Sequence, residues 1–202
     1  MPPIILEVKV LLGLIAVLIS FIAYWAYIKD ILAARIKPHA YSWLVWSCLG
    51  GIAFFAQILH GAGPGAWVNG VVMVISFIIF ILAINRGETR ITLLDKISLG
   101  GAFGALAVWL ATNNPLWSVI LITIIDFLGF LPTFRKSYHK PHQESTTMFA
   151  LSGIKYLFSL GALGEYTLIT TIYPASLVLM NMMMVSWLIC RKKKVETEST
   201  RR

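Results

Sequence analysis

Two ionisable residues of opposite charge, Asp126 and Lys155, lie inside apolar runs of the sequence. Asp126 precedes Arg135 by nine residues and Lys155 follows Ser145 by ten, which places both roughly 13–15 Å from one membrane face at about 1.5 Å per helical residue. A charge at mid-bilayer costs at least about 2.5–3.5 kcal/mol. We therefore expect the two side chains to face each other away from lipid, in an ion pair or through one water. Three roles stay open: a structural pair, a site for a substrate charge, or a proton-coupling carboxylate.

Three further polar residues lie in the last apolar run, namely Tyr173, Ser176 and Asn181. The Asn181 amide is suited to bind a substrate hydroxyl, and it is equally suited to bond a neighbouring helix. Tyr173 and Ser176 are included because of their depth in this run. Together with Asp126 and Lys155, these residues make up the predicted substrate-binding set.

Two prolines, Pro132 and Pro174, fall inside apolar runs. A proline within a helix leaves a carbonyl one turn earlier without its donor, and it bends the helix. Both are therefore candidate hinges for gating, and a static bend is the competing interpretation.

The composition excludes a soluble enzyme. Hydrophobic residues make up 58% of the 202-residue chain and charged residues 13%, with a mean hydropathy of +0.79. The sequence has no metal-spaced His/Cys cluster, no nucleophile motif and no glycine-rich phosphate loop. We expect no enzymatic activity, no catalytic residue, no cofactor and no metal.

Seven apolar runs are long enough to be membrane-spanning helices, because about 20 helical residues cross the hydrocarbon core. They predict an all-α integral membrane protein, and they are too uniformly apolar for barrel strands. The first run does not resemble a cleaved signal peptide. The runs are Val10–Ile28, Ala40–Leu59, Ala66–Ile84, Ile97–Thr112, Pro115–Phe134, Ser145–Gly164 and Tyr166–Cys190.

The basic residues set the expected orientation. Of the 17 Lys and Arg residues, 15 fall in the segments after runs one, three, five and seven, and Lys9 alone falls on the other side. The positive-inside rule then places the N-terminus outside and the C-terminus in the cytoplasm, as in a bacterial inner (plasma) membrane. The basic tail predicts contact with anionic lipid rather than with nucleic acid.

An internal repeat divides the chain. Lys37-Pro38-His39 recurs as Lys140-Pro141-His142 at an offset of 103, and the same offset pairs Gly50 with Gly153 and Gly61 with Gly164. The repeat predicts two parallel three-helix bundles joined by a linker helix. The expected divisions are 1–84 for the first bundle, 85–112 for the loop and linker helix, 113–190 for the second bundle and 191–202 for the tail.

This plan of three, one and three helices resembles the SWEET and PQ-loop superfamily. In the second repeat, Leu131-Pro132-Thr133-Phe134 precedes a basic loop and Ser145-Thr146, with Pro132 at the motif proline and Thr133 where the family has Gln. Tyr41-Ser42-Trp43 with Trp46 is also similar to an aromatic motif of bacterial nicotinamide-riboside transporters. The resemblance implies a membrane transporter and a pocket that includes Asn181.

We therefore expect a transporter or facilitator of a small polar solute (sugar-like, amino acid or vitamin-like) that works by alternating access between the bundles. The alternative is a non-transporting seven-helix sensor or scaffold. No soluble sensory or partner domain is evident in the sequence, which favours transport. The sequence leaves a homo-oligomer open.

Overall fold

The computed structural model describes residues 3–34, 38, 40–86, 93–139, 141–144 and 146–200. Within these residues the chain is all-helical, as predicted, with seven α-helices and two short 3-10 helices at Gly63–Ala66 and Pro141–Gln143. The α-helices are α1 Pro3–Leu32, α2 Ala40–Leu59, α3 Trp67–Arg86, α4 Leu93–Thr112, α5 Pro115–His139, α6 Thr146–Gly161 and α7 Leu168–Thr200.

Each helix matches one of the predicted apolar runs, with differences at the ends. Helix α2 has the predicted bounds, whereas α6 ends at Gly161, three residues before the predicted Gly164. Helix α7 continues through the basic segment to Thr200. Charged residues favour helix as well as apolar ones do, so the end of an apolar run does not mark the end of a helix.

In the described part of the chain, four helical segments are long and apolar enough to cross a membrane, namely Pro3–Leu32, Ala40–Leu59, Gly63–Arg86 and Leu168–Thr197. Helices α4 and α5 contain shorter apolar stretches, Lys96–Thr112 and Pro115–Phe130. Helix α1 carries exposed Leu11, Leu14 and Leu18 along one face. An apolar face of this length fits lipid as its surroundings better than water.

We call α1–α3 the first set of helices and α5–α7 the second set, following their order in the chain. In the first set α3 contacts both α1 and α2, and in the second α7 contacts both α5 and α6. Contacts of α1 with α6 and of α2 with α5 connect the two sets, and α4 packs against α5 and α2. The main hydrophobic core takes buried residues from all seven α-helices.

The α2–α3 and α6–α7 connections meet at one end of the molecule, which we call the loop end. The Gly164 amide donates to the Ala62 carbonyl at 2.8 Å, and the Glu165 amide donates to the Gly61 carbonyl at 2.9 Å. A Cβ atom at Gly164 would collide with the Gly61 carbonyl oxygen, so this close approach requires glycine. Lys9 of α1 donates to the Gly164 carbonyl at 3.1 Å.

The opposite end, which we call the basic end, gathers cations from α3 and α7. Arg86 Nη1 of α3 donates to the Leu32 carbonyl at 3.2 Å. Lys192 Nζ of α7 donates to the Glu144 carbonyl at 2.9 Å and to Thr146 Oγ1 at 3.0 Å. Arg86 thus binds the last carbonyl of α1, which suits the negative end of a helix dipole, and Lys192 ties α7 to the segment just before α6.

Part of the predicted basic set lies outside the described residues. These positions are Arg35, Lys37, Arg90, Lys140, Arg201 and Arg202, together with His39 and Ser145 of the repeated motif. Helix α5 includes Arg135 and Lys136, whose side chains are not described.

Candidate substrate cavity

A cavity of about 120 Å³ lies where the two sets of helices meet. Among the described side chains, six of the seven α-helices contribute to it, and no described residue of α4 does. The lining residues are Tyr24 of α1, Trp43 and Trp46 of α2, Val72 of α3, Asp126 and Phe130 of α5, Met148, Phe149, Ser152, Lys155 and Tyr156 of α6, and Tyr173, Leu177 and Asn181 of α7.

Asp126 and Lys155 both line this cavity, and both are buried, with 6% and 3% of their surface exposed. The Lys155 ammonium lies over two tyrosine rings, 4.7 Å from the centroid of Tyr24 and 5.1 Å from that of Tyr156. Such contacts with ring faces stabilise a desolvated cation.

The direct ion pair expected from the sequence is not formed. Between Asp126 and Lys155, whose side chains are both described, no nitrogen–oxygen distance is 4.0 Å or less. The expectation treated α5 and α6 as a closely packed hairpin, but α7 packs against both of them. Asp126 and Lys155 therefore share a cavity without touching.

Helix α7 presents one face to the cavity. Tyr173, Leu177 and Asn181 recur every four residues and line it together, as the helical period requires. Asn181 Nδ2 donates to the Leu177 carbonyl at 2.7 Å, which uses one amide hydrogen. Ser176 Oγ donates to the Tyr173 carbonyl at 2.7 Å, and Ser176 is not among the lining residues. The structure thus brings four of the five predicted substrate-binding residues together.

Pro174 lies inside α7, and its missing N–H leaves the Thr170 carbonyl without a helical donor. Gln57 Nε2 of α2 donates to that carbonyl at 2.7 Å. An amide from one set of helices thus satisfies the carbonyl that a proline frees in the other set. Pro132 lies within α5, but its side chain is outside the described residues.

Gln57 belongs to a buried polar network that sequence reasoning missed. Asn69 Nδ2 donates to Gln57 Oε1 at 2.7 Å, and the Tyr156 hydroxyl donates to Asn69 Oδ1 at 3.4 Å. Gln57, Asn69 and Thr170 have no exposed surface. An uncharged amide amid apolar residues of α2 was the only signal that could have marked Gln57. Tyr156 also lines the cavity, so the network reaches the cavity wall at that residue.

The cavity extends towards the basic end. Trp43 and Trp46 come from the first turns of α2, and Met148 and Phe149 come from the first turn of α6. On the other side, the loop end is tightly packed, since Ser159 Oγ of α6 donates to the Gly65 carbonyl at 2.6 Å. Gly65 has no room for a Cβ, which would lie 2.8 Å from the Ser159 carbonyl oxygen. The two sets of helices are thus joined at the loop end.

Aromatic rings form much of the cavity wall. Trp43 packs between Tyr24 and Trp46, with ring centroids 6.1 and 5.0 Å away. Phe130 and Phe149 pack on each other across α5 and α6, with centroids 6.3 Å apart. These rings provide flat apolar surface beside the two charged groups.

Comparison with protein-family models, with curated proteins and with solved structures gives no match to this chain. The class of the protein is therefore inferred from its own fold and cavity.

Proposed function

We propose that this protein is a membrane transporter or facilitator of a small polar solute, working by alternating access between two three-helix bundles. The observation that carries the proposal is the cavity between the two sets of helices, which holds buried Asp126, Lys155 and Asn181. Ionisable groups inside a membrane protein are expensive and usually mark a solute or ion pathway. A merely structural bundle would gain more from apolar packing at these positions.

The order of helix contacts supports the parallel repeat. If α1, α2 and α3 correspond to α5, α6 and α7, then the contacts of α3 with α1 and α2 correspond to those of α7 with α5 and α6. The α1–α6 contact likewise corresponds to the α5–α2 contact. Such paired contacts are expected of two copies related by a two-fold axis along the membrane normal.

The glycines paired by the offset of 103 give separate support. A Cβ at Gly50 would meet backbone atoms of Met73 and Asn69 on α3, and a Cβ at Gly153 would meet Met182 and Asn181 on α7. Both glycines therefore permit close packing at corresponding interfaces. Gly61 and Gly164 lie in corresponding connections and contact each other, as equivalent positions near a two-fold axis would.

The proposed orientation places the loop end outside and the basic end in the cytoplasm of a bacterial inner membrane. The cations Arg86, Arg191 and Lys192 bind backbone carbonyls at the basic end, whereas Lys9 lies at the loop end. This asymmetry fits the positive-inside rule and suits anionic lipid at the cytoplasmic surface. The described state is then closed to the outside, with its cavity on the cytoplasmic side.

Alternating access would require the loop end to open. The hydrogen bonds of Gly164, Glu165 and Ser159, together with the Gln57 network, would break, and the aromatic residues near the basic end would close over the solute. Pro174 is the proposed hinge of α7, since the helix lacks one of its own hydrogen bonds there. Pro132 is proposed for the corresponding role in α5. This arrangement is similar to that expected of a SWEET or PQ-loop-like transporter.

Thiol labelling in membrane vesicles tests this function. A Ser152→Cys variant with Cys48 and Cys190 replaced by Ala places one thiol in the cavity. We expect a membrane-impermeant reagent to label it from the cytoplasmic side, and a transported solute to change the labelling rate on each side. A Cys at Gly100, where a Cβ meets nothing within 4 Å, is the matched control outside the cavity. Labelling from one side only, unchanged by every solute, with no uptake by proteoliposomes, would favour a sensor or scaffold.

A further inference from the structure

The cavity holds one buried carboxyl group and one buried amine that do not pair with each other. Asp126 and Lys155 are each more than nine-tenths buried, and neither has a hydrogen-bond or ion-pair partner among the described residues. We propose that the cavity binds a zwitterionic solute, an apolar α-amino acid, with its ammonium on Asp126 and its carboxylate on Lys155. The inference rests on the proposed transport function and names its substrate class.

A ligand that pairs with both Asp126 and Lys155 would satisfy the two groups. The carboxylate of Asp126 is a pure acceptor, and the ammonium of Lys155 has three donors. The rings of Tyr24 and Tyr156 stabilise the cation through their faces, but they accept no strong hydrogen bond there. A solute with an ammonium and a carboxylate provides one donor set and one acceptor set without adding net charge to a low-dielectric site.

Solutes with other charge patterns fit less well. An anion would bind Lys155 and leave Asp126 buried without a counter-ion, and a cation would do the reverse. A neutral sugar would satisfy Asn181 and leave both charges uncompensated. Because an uncompensated buried charge is strongly unfavourable, the site discriminates against all three.

The remaining wall selects the solute's side chain. Trp43, Trp46, Phe130 and Phe149 present aromatic rings, and Leu177 adds an aliphatic surface. The cavity, of about 120 Å³, suits a small solute. An aliphatic or aromatic amino-acid side chain would bury its surface against these rings, whereas a charged side chain placed against them would lose its hydration without a partner.

The decisive experiment compares one side chain with three charge patterns on the wild-type protein. Purified protein is titrated with L-phenylalanine, phenethylamine, hydrocinnamate and glucose, and binding is followed as a rise in melting temperature, which a ligand of the folded state produces. L-Leucine is included as a second zwitterion. We expect the two amino acids to bind at least about tenfold more tightly than the amine, the acid or the sugar. Equal or tighter binding of a singly charged or neutral probe would overturn the proposal.

Variants that remove one of the two ionisable groups should change the ligand preference in opposite directions. The Asp126→Asn variant should bind phenylalanine more weakly and hydrocinnamate more tightly than the wild type. The Lys155→Met variant should bind phenylalanine more weakly and phenethylamine more tightly. Gly100→Ala, which lies outside the cavity and changes no charge, should keep the wild-type preference. If a variant does not fold, the wild-type comparison still decides.

Uptake of a sugar or nucleoside with no preference for zwitterions would refute this inference but leave the proposed transport function intact. The absence of any uptake and of solute-dependent Ser152→Cys labelling would refute both the inference and the proposed function.

Discussion

At the scale of single residues, the two tyrosines beside Lys155 explain how a lysine can stay buried without a carboxylate partner. The Tyr24 and Tyr156 rings come from different sets of helices and meet at the same ammonium. A desolvated cation–π contact is worth about 2 kcal/mol or more. The lysine therefore links α1 to α6 electrostatically as well as facing the cavity.

Tyr24→Leu should lower the stability of the folded protein by about 1–2 kcal/mol, because it removes one ring face from the Lys155 ammonium. Tyr24→Phe keeps the ring and should cost less. The measurement is thermal unfolding in detergent, repeated in a Lys155→Met background, where the cation–π part of the Leu penalty should disappear. An unchanged penalty in that background would mean that the ring acts by packing alone.

The Gln57–Thr170 contact is the second residue-scale feature, since it compensates for a hydrogen bond that Pro174 removes. Gln57→Leu should destabilise the protein by about 1–3 kcal/mol, because it leaves the Thr170 carbonyl buried without a donor. In a Pro174→Ala background the restored helical N–H can take that carbonyl, so the same substitution should cost less. Additive effects in this double-mutant cycle, measured by thermal unfolding, would contradict the compensation.

At the scale of elements, glycines decide how closely the helices and connections approach. Gly65 packs against Ser159 and Leu163 of the second half, with no space for a side chain. Gly100 on α4 has open space around it. Alanine substitutions at Gly65 and Gly100 therefore make a matched comparison of a packed and an open position.

Gly65→Ala should destabilise the closed loop end by about 1–3 kcal/mol through overpacking. Gly100→Ala should be neutral or slightly stabilising, because alanine favours helix and meets no neighbour there. Thermal unfolding measures the stability, and labelling of the Ser152→Cys thiol from the outside should increase in the Gly65→Ala background. Equal stability of the two alanine variants would show that the loop end tolerates the added methyl group.

At the scale of the whole molecule, charge separates the two ends, and this separation carries the proposed orientation. Reporter fusions to the C-terminus test it in cells. A fluorescent protein that folds only in the cytoplasm should be bright, and alkaline phosphatase, which needs an oxidising compartment, should be inactive. The reverse result would place the basic end outside and contradict the positive-inside assignment.

The bounds of the helices show which features the local sequence predicts. The apolar run Ala40–Leu59 became α2 with the same bounds, since its length and composition suffice to define a helix. The predicted end of α6 was wrong by three residues. Ala162, Leu163 and Gly164 instead form hydrogen bonds in the connection, including one from Gly164 to Ala62 of the first half. That partner is distant along the chain, so no local pattern predicts it.

By itself, the sequence determined an all-helical chain with apolar helices in the right places, and a set of polar residues of which four line one cavity. These features follow from hydrophobicity and helical period, which are local properties. Only the tertiary structure decided that α7 packs against both α5 and α6, that Lys155 rests on Tyr24 and Tyr156, and that Gln57 reaches the carbonyl freed by Pro174. Helices in lipid choose their neighbours by close packing and long-range hydrogen bonds, and an apolar surface alone does not encode that choice.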